Sequence, residues 1–391
     1  MTPRAADSGA RELFRRTFGS EPAGTWSAPG RVNLIGEHTD YNAGLCLPIA
    51  LPQRTTAAAA RRDDGRLRVV SAQGPDVVEV HLDEVAPGRP GGWAAYVAGV
   101  PWALAQAGYA ACGLDVAVDS SVPLGAGLSS SAALECAVGA ALSDLCGLGL
   151  LESAEGRTAL AAACVQAENT IAQAPTGGMD QSAALLATGG HALLLDCRDQ
   201  HTEQVPFDLA GHGLALLVVD TRAEHALVDG QYAERRGSCE QAARELGVSS
   251  LREVPMDGLD QRLGTLSSDL LRRRARHVVT EIDRVRLAVG ALRDDDLGEV
   301  GRLFLESHAS MRDDFEISCA ELDTAVEATV AAGALGARMT GGGFGGSAIA
   351  LLPGSALEEA IAGVEQAFGD KGFRPPSCFA VTASDPAARD H

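Results

Sequence analysis

The sequence predicts an α+β chain in two domains, on three observations. Strand-like and helix-like segments intermix without the regular alternation that a doubly wound sheet requires. With 391 residues, 46% of them hydrophobic, the chain has the apolar material for two cores or one large one. A polar run at residues 198–204 separates two strand-rich blocks, which sets the expected domains at 1–205 and 206–391.

Periodicity and turn chemistry give the elements in order. Residues 8–18 have the spacing of a short helix, and residues 21–29 lead into a polar loop at 30–42. Residues 45–60 are apolar and partly β-like. Two alternating runs follow at 67–71 and 77–82, with Gly74-Pro75 as the turn between them. Residues 93–107 have helical spacing and stop at Gly108. Residues 113–121 alternate strictly, as a half-buried strand does. Alanine-rich helices are expected at 129–145 and 154–171, a third at 179–187, and strands at 191–197 and 214–221. The second half gives helices near 232–246, 268–293, 294–309, 319–333 and 356–369. Its strands are expected near 335–340, 347–353 and 377–382, with no internal repeat or low-complexity linker.

Composition removes several function classes. A net charge of −20 disfavours nucleic acid and anionic membrane, which both attract basic patches. No apolar run is long and uncharged enough to span a bilayer, and the N-terminal residues lack the apolar stretch of a signal peptide. Nine cysteines, an odd number without a C-x-x-C, fit a cytoplasmic protein with neither a disulfide framework nor a zinc site. No obligate protein partner is evident. Lys371 is the only lysine, so phosphate loops that depend on a lysine have no candidate. Any phosphate must be held by backbone N–H groups, arginine or a metal.

Three segments carry chemistry. Residues 30–42, GRVNLIGEHTDYN, pack an arginine, a glutamate, a histidine and an aspartate among apolar residues. Such density is costly unless the groups hold something. Residues 123–133, PLGAGLSSSAA, lie between a predicted strand and a predicted helix. Glycines there let the backbone approach a ligand, and the helix start offers N–H groups and partial positive charge to an anion. Residues 340–347, TGGGFGGS, hold five glycines where a hairpin needs one or two, which favours a loop packed against a nucleotide or against the first glycine loop.

In order and spacing these segments resemble the signature motifs of the GHMP small-molecule kinases, and the first resembles that of the galactokinases. ENTIAQAPTGGMDQ (168–181) and DGQYAERRGSCEQA (229–242) fit the same pattern, so the likeness runs over nearly the whole chain. It implies an N-terminal domain resembling part of a ribosomal protein and a ferredoxin-like C-terminal domain, with the active site between them. It implies galactose and ATP as substrates, phosphorylation of the C1 hydroxyl, and Mg2+ as cofactor. Carried over by position, Asp180 is the catalytic carboxylate and Arg31 its partner. Glu37, His38, Asp40, Gly177 and Tyr232 line the sugar pocket with them. Gly125, Ala126, Gly127, Leu128, Ser129, Ser130 and Ser131 hold the ATP phosphates, Trp93 and Tyr96 lie near adenine, and Ser131 and Glu168 lie near the metal. Gln173 stands where a glycine is usual, and Thr176 and Gly178 also depart from the common pattern.

The residue chemistry agrees with this. Phosphoryl transfer asks mainly for positioning and charge neutralisation, and the fork of an arginine suits phosphate. Asp180 serves as a proton acceptor or as an orienting charge, and sequence does not separate the two. Glu37 and Asp40 suit a neutral polyol over a uronic acid. Bland alternatives stand beside several residues: Asp180 as a helix cap, Glu168 as an exposed helix carboxylate, Trp93 and Tyr96 as core, His38 as an orienter of carboxylates, and Tyr232 as helix surface. Rival activities are a kinase for N-acetylgalactosamine or arabinose and a non-catalytic galactose and ATP sensor. The sensor is expected to lose part of the serine run, which is intact at 129–132.

Overall fold

The computed structural model describes residues 3–223 and 228–391. Its N-terminal block is built on β1 (Gly24–Asn33), β3 (Pro48–Arg62), β4 (Arg66–Ser71), β5 (Gly74–His81) and β6 (Gly113–Ser120), joined from the far end of the chain by β13 (Ala388–Arg389). These six strands lie in the order β13-β1-β3-β6-β4-β5, antiparallel throughout except for β4 beside β6. Alternation along β3 sorts the two faces. Ala58 meets Phe14 and Leu13 of α1 (Pro3–Phe18). Ala57 and Ala59 join the core under α2 (Ala94–Gln106), α3 (Ser130–Leu145), α4 (Ala154–Ala167) and α5 (Met179–Leu186).

The C-terminal block rests on β9 (Leu214–Asp220), β10 (Gly336–Thr340), β11 (Ser347–Pro353) and β12 (Ser377–Val381), antiparallel in the order β10-β11-β9-β12. Around it lie α6 (Val228–Leu246), α7 (Leu259–Leu263), α8 (Asp269–Arg293), α9 (Leu297–Ser310), α10 (Ala320–Ala331) and α11 (Leu357–Lys371). A third sheet of β2 (Leu45–Cys46), β7 (His191–Asp196) and β8 (His201–Pro206) lies beside the two. One apolar core contains Val32, Leu34 and Ile35 from the first motif together with Val218, Ile282 and Ile349 from the C-terminal block. The α+β expectation holds, and the first motif is wedged between the blocks.

Several element expectations need correction. Residues 30–33 are not loop: they finish β1, which is buried at every position. Pro29 and Gly30 hid the strand, and the register shifts between Pro29 and Arg31. Gly30 is required there, since a Cβ would lie 2.6 Å from the Leu128 carbonyl oxygen. The polar run 198–204 is a hairpin rather than a linker, with β8 paired to β7 along its length. Along β8 half-buried and exposed side chains alternate, so the run that separates the strand-rich blocks is itself partly strand. The helix expected over 154–171 stops at Ala167 and widens into a π turn over Glu168–Ala172, ended by Gln173 at φ 56°. Cys112 and Cys146 form a disulfide, although their separation of 34 residues gave no sign of it. None of the described helices is long and apolar enough to cross a membrane.

Trp26 is the largest fully buried side chain, and its indole N–H donates to Asp144 at 2.7 Å. Trp26→Ala should lower the free energy of unfolding by about 3–5 kcal/mol. Urea denaturation measures it, and a loss below ~1 kcal/mol would show that the ring does not anchor this sheet.

Candidate active site

Two elements aim at one point. β1 carries Arg31 and the first turn of α5 carries Asp180, so residues far apart in sequence meet through backbone geometry alone. Arg31 Nε and Nη2 donate to the two carboxylate oxygens of Asp180, each at 2.9 Å. The remaining fork of Arg31 donates to the Gly127 carbonyl at 2.5 Å, and its backbone N–H to the Leu128 carbonyl at 3.1 Å. Ser129 Oγ donates to Asp180 at 2.5 Å. Asp180 is therefore no helix cap, since Gly178 holds the N-cap position of α5. Ser129 holds the N-cap position of α3 at φ 59°, but its side chain makes no cap bond, and its hydroxyl goes to the carboxylate instead. A left-handed serine is uncommon and marks a site where geometry is imposed by function.

Arg31, Glu37, His38, Asp40, Glu168, Asp180 and Tyr232 all line one cavity of about 170 Å³. Gly177 lies just behind it, and a Cβ at that position would fall 2.0 Å from Asp40 Oδ2. Only glycine leaves room for that carboxylate. Burial, then the neighbouring Asp180, pushes the Asp40 carboxyl up to about 6. Tyr232 is half-buried and packs its ring on His38 and Tyr41, so the reading as plain helix surface falls away. Burial drops His38 to about 4. Its Nε2 faces the Gly342 carbonyl at 3.1 Å and its Nδ1 faces Tyr41 Oη at 2.8 Å. A carbonyl only accepts, so Nε2 carries the proton and Nδ1 accepts from the tyrosine.

Glu37 and Glu168 are both interior carboxylates. Glu37 accepts from the Gly341 N–H at 3.1 Å and from Arg338, which is fully buried. Arg338 also reaches the Leu34 carbonyl at 2.6 Å and Glu281 at 3.4 Å. Burial pushes the Glu37 carboxyl up while Arg338 opposes it. Burial would raise Glu281 as well, but Arg284 and Arg338 hold it down at about 2. Glu168 is 7% exposed, which overturns the exposed-carboxylate alternative. Burial and Asp180 raise it to about 7, and the Ser131 hydroxyl bonds to it. Gln181 bridges Glu168, at 2.5 Å, to the fully buried Glu135, at 3.1 Å. No group of three or more His, Cys, Asp or Glu side chains gathers for a metal among the described residues.

The two glycine loops touch. Ser347 Oγ donates to the Ala126 carbonyl at 2.7 Å, and a Cβ on Gly341 would lie 2.9 Å from the Gly127 carbonyl. Gly341, Gly343, Gly345 and Gly346 all have positive φ, which accounts for the glycine density. Beyond Ser130 lies a second, mostly apolar cleft of about 200 Å³, lined by Trp93, Leu124, Val118 and Leu134. The loop from Gly125 to Ser131 thus lies between an apolar cleft and a polar cavity. Tyr96 is half-buried on α2 and does not line that cleft. Sequence reasoning missed Arg338, Glu281, Glu135 and Gln181. Arg338 did leave a signal, as a lone arginine in a strand of apolar residues two positions before the third motif.

A mixed sheet and an antiparallel sheet meeting at a glycine–serine loop, with an arginine–aspartate pair beside it, define a GHMP kinase. The models for the GHMP kinases N terminal domain and GHMP kinases C terminal match residues 95–188 and 288–371. The galactokinase galactose-binding signature matches residues 12–61. A galactokinase of Streptomyces coelicolor is 50% identical over 380 residues, 97% of each chain. That of Homo sapiens is 45% identical over 369 residues, 92% of this chain and 91% of the other. The crystal structure of Lactococcus lactis galactokinase complexed with galactose superposes with a TM-score of 0.91 at 33% identity, over 98% of this chain and 99% of that one. The chain belongs to the galactokinase family.

Removing Arg338 strands the interior carboxylate of Glu37, while Glu281 keeps Arg284. Arg338→Met should cost about 3–5 kcal/mol of stability. Equilibrium urea unfolding reads it, and a cost under ~1 kcal/mol would show that the blocks are joined by apolar packing alone.

Proposed function

We propose that this chain transfers the γ-phosphoryl group of ATP to the C1 hydroxyl of D-galactose, giving galactose 1-phosphate and ADP. The carrying observation is the bidentate Arg31–Asp180 pair on the wall of the polar cavity, with Ser129 of the phosphate loop bonded to the same carboxylate. The sugar takes the polar cavity, where the Asp40 and Glu37 carboxylates offer acceptors to a neutral polyol and His38 packs beside them. The adenine takes the apolar cleft beside Trp93, and the phosphates lie along residues 125–131. Asp180 accepts the proton of the C1 hydroxyl or holds that oxygen in line. Arg31 holds the carboxylate in place through both its oxygens and offers charge to the transferring group, a positioning and electrostatic contribution. Residues 1–205 supply the sugar motif and the phosphate loop. Residues 206–391 supply Tyr232 and the second glycine loop that backs them, in a protein we place in the cytoplasm.

The residues present fit a magnesium ion. Asp180 and Glu168 repel each other, which helps burial raise Glu168 to about 7, and a cation would relieve that repulsion. Ser131 and Glu168 are the oxygen donors within reach, few enough to suit an ion that keeps waters and phosphate oxygens as its other ligands. When bound, the ion supplies charge neutralisation on the phosphates. Phosphorylation of another neutral sugar, N-acetylgalactosamine or arabinose, is the rival reading. Coupled ADP release across a panel of sugars separates the two, and turnover of another sugar without turnover of galactose would end the proposal.

Asp180→Asn should lower kcat by roughly 10²-fold or more while galactose still binds. Near-normal turnover would remove Asp180 from the chemistry. A pH dependence follows from Asp40. Sugar hydroxyls donate to its ionised form, so binding pulls its pKa below the free value of about 6 and releases a proton. Galactose affinity should hold above pH 6 and fall below it, by about tenfold one unit lower. Calorimetric titrations from pH 5 to 7 test this, and a flat affinity would mean that Asp40 does not accept from the sugar.

A further inference from the structure

Behind the polar cavity lies a pair of thiols that the reaction does not use. Cys46 ends β2 and Cys197 follows β7 by one residue, with the Cys197 N–H bonded to the Gly44 carbonyl at 2.9 Å. Their sulfurs stand 3.9 Å apart, aimed at each other. Closing to a disulfide needs an approach of about 2 Å. Cys197 is partly exposed and Cys46 fully buried, so one thiol meets solvent and the other waits behind it. Cys136 and Cys164 are also neighbours, but both are buried and lack that access.

Cys46 is tied to the loop that carries the sugar-facing groups. Its Sγ donates to the Gly36 carbonyl at 3.4 Å and lies 3.4 Å from Thr39 Oγ1. Gly36 rests on it so closely that a Cβ there would come within 3.0 Å of the Cys46 Cα. Cys46 and Cys197 also share one apolar cluster with Met179, the residue before Asp180. We infer that Cys46 and Cys197 are an oxidation site for hydroperoxides, and that closing this disulfide loosens the sugar cavity. The Cys197 thiol gives up its proton and its sulfur attacks the peroxide; the O–O bond breaks to leave a sulfenic acid and a hydroxide, which takes that proton as the first water. The Cys46 sulfur then attacks the Cys197 sulfur. The S–S bond forms, and the departing hydroxide takes the Cys46 proton as a second water. Two thiols lose two electrons and hydrogen peroxide gains them. Bond formation drags Cys46 Sγ off the Gly36 carbonyl and moves Met179, so Glu37, His38 and Asp40 lose their backing.

The thiol chemistry stands on its own geometry, and only the link to sugar affinity rests on the proposed function. The purified protein is treated with hydrogen peroxide and digested without reductant, and galactose and ATP kinetics are measured before and after. We expect one new cross-linked peptide pair joining Cys46 to Cys197, reversed by dithiothreitol. KM for galactose should rise by at least about 5-fold, with KM for ATP unchanged. Cys197→Ser should keep basal kinetics and resist peroxide. Cys46 and Cys197 remaining reduced while other thiols oxidise would overturn the inference. So would equal inactivation of C197S, or a disulfide that forms without changing KM for galactose. A reduced protein that does not phosphorylate galactose refutes the proposed function instead, because the cross-link is read by mass.

Discussion

One fully buried guanidinium, Arg338, is the constraint from which the rest of the site follows. It comes from β10 of the C-terminal block and bonds to Glu37 and the Leu34 carbonyl, both in the first motif. A buried charge without a partner is far more costly than a paired one, so the motif cannot drift from that strand. Glu281 and Arg284 complete the network, with Ser307 donating to Glu281 at 2.6 Å. Once Glu37 is pinned, the residues after it are pinned too. His38 and Asp40 then face the cavity because the chain between Gly36 and Gly44 has no other course.

Arginine does similar work at the floor of the cavity. Arg274 donates to the Asp314 carbonyl at 2.6 Å, and Arg235 to the carbonyls of Phe315 and Glu316 at 2.7 and 2.8 Å. Both hold the segment after α9, where Phe315 packs its ring against His38 and His277. The scarcity of lysine thus has a structural counterpart. Planar forks fix backbone carbonyls in ways a point-like ammonium cannot.

How far the sequence could be read depended on what each residue answers to. The motif residues were legible because charged groups set so densely among apolar ones have to be partnered. Asp180, Arg31, Asp40 and His38 do converge, and Gly177 is glycine because Asp40 fills its space. Helices with clear periodicity were legible as well. β1 was not, since Pro29 and Gly30 contradict strand propensity while tertiary pairing with β3 overrides it. β8 was not, because an edge strand with one polar face shows in sequence only as a polar run. Arg338 and Glu281 satisfy each other across many residues, and pairing of that kind leaves no local pattern. Glu168 looked like helix surface because nothing nearby in sequence shows that Glu135 and Gln181 enclose it.

The return of the chain end to β1 has a consequence for how the molecule is made. Trp26 and Ser27 pair with residues 388–389, while Arg54 and Arg157 hold the carbonyls of Asp385, Pro386 and Ala387. During synthesis the outer edge of β1 therefore waits for residues 388–389 to leave the ribosome. An exposed strand edge is a template for wrong pairing, and vectorial growth lets earlier segments settle first. The nascent N-terminal sheet stays open along β1, the strand that presents Arg31, until those residues arrive.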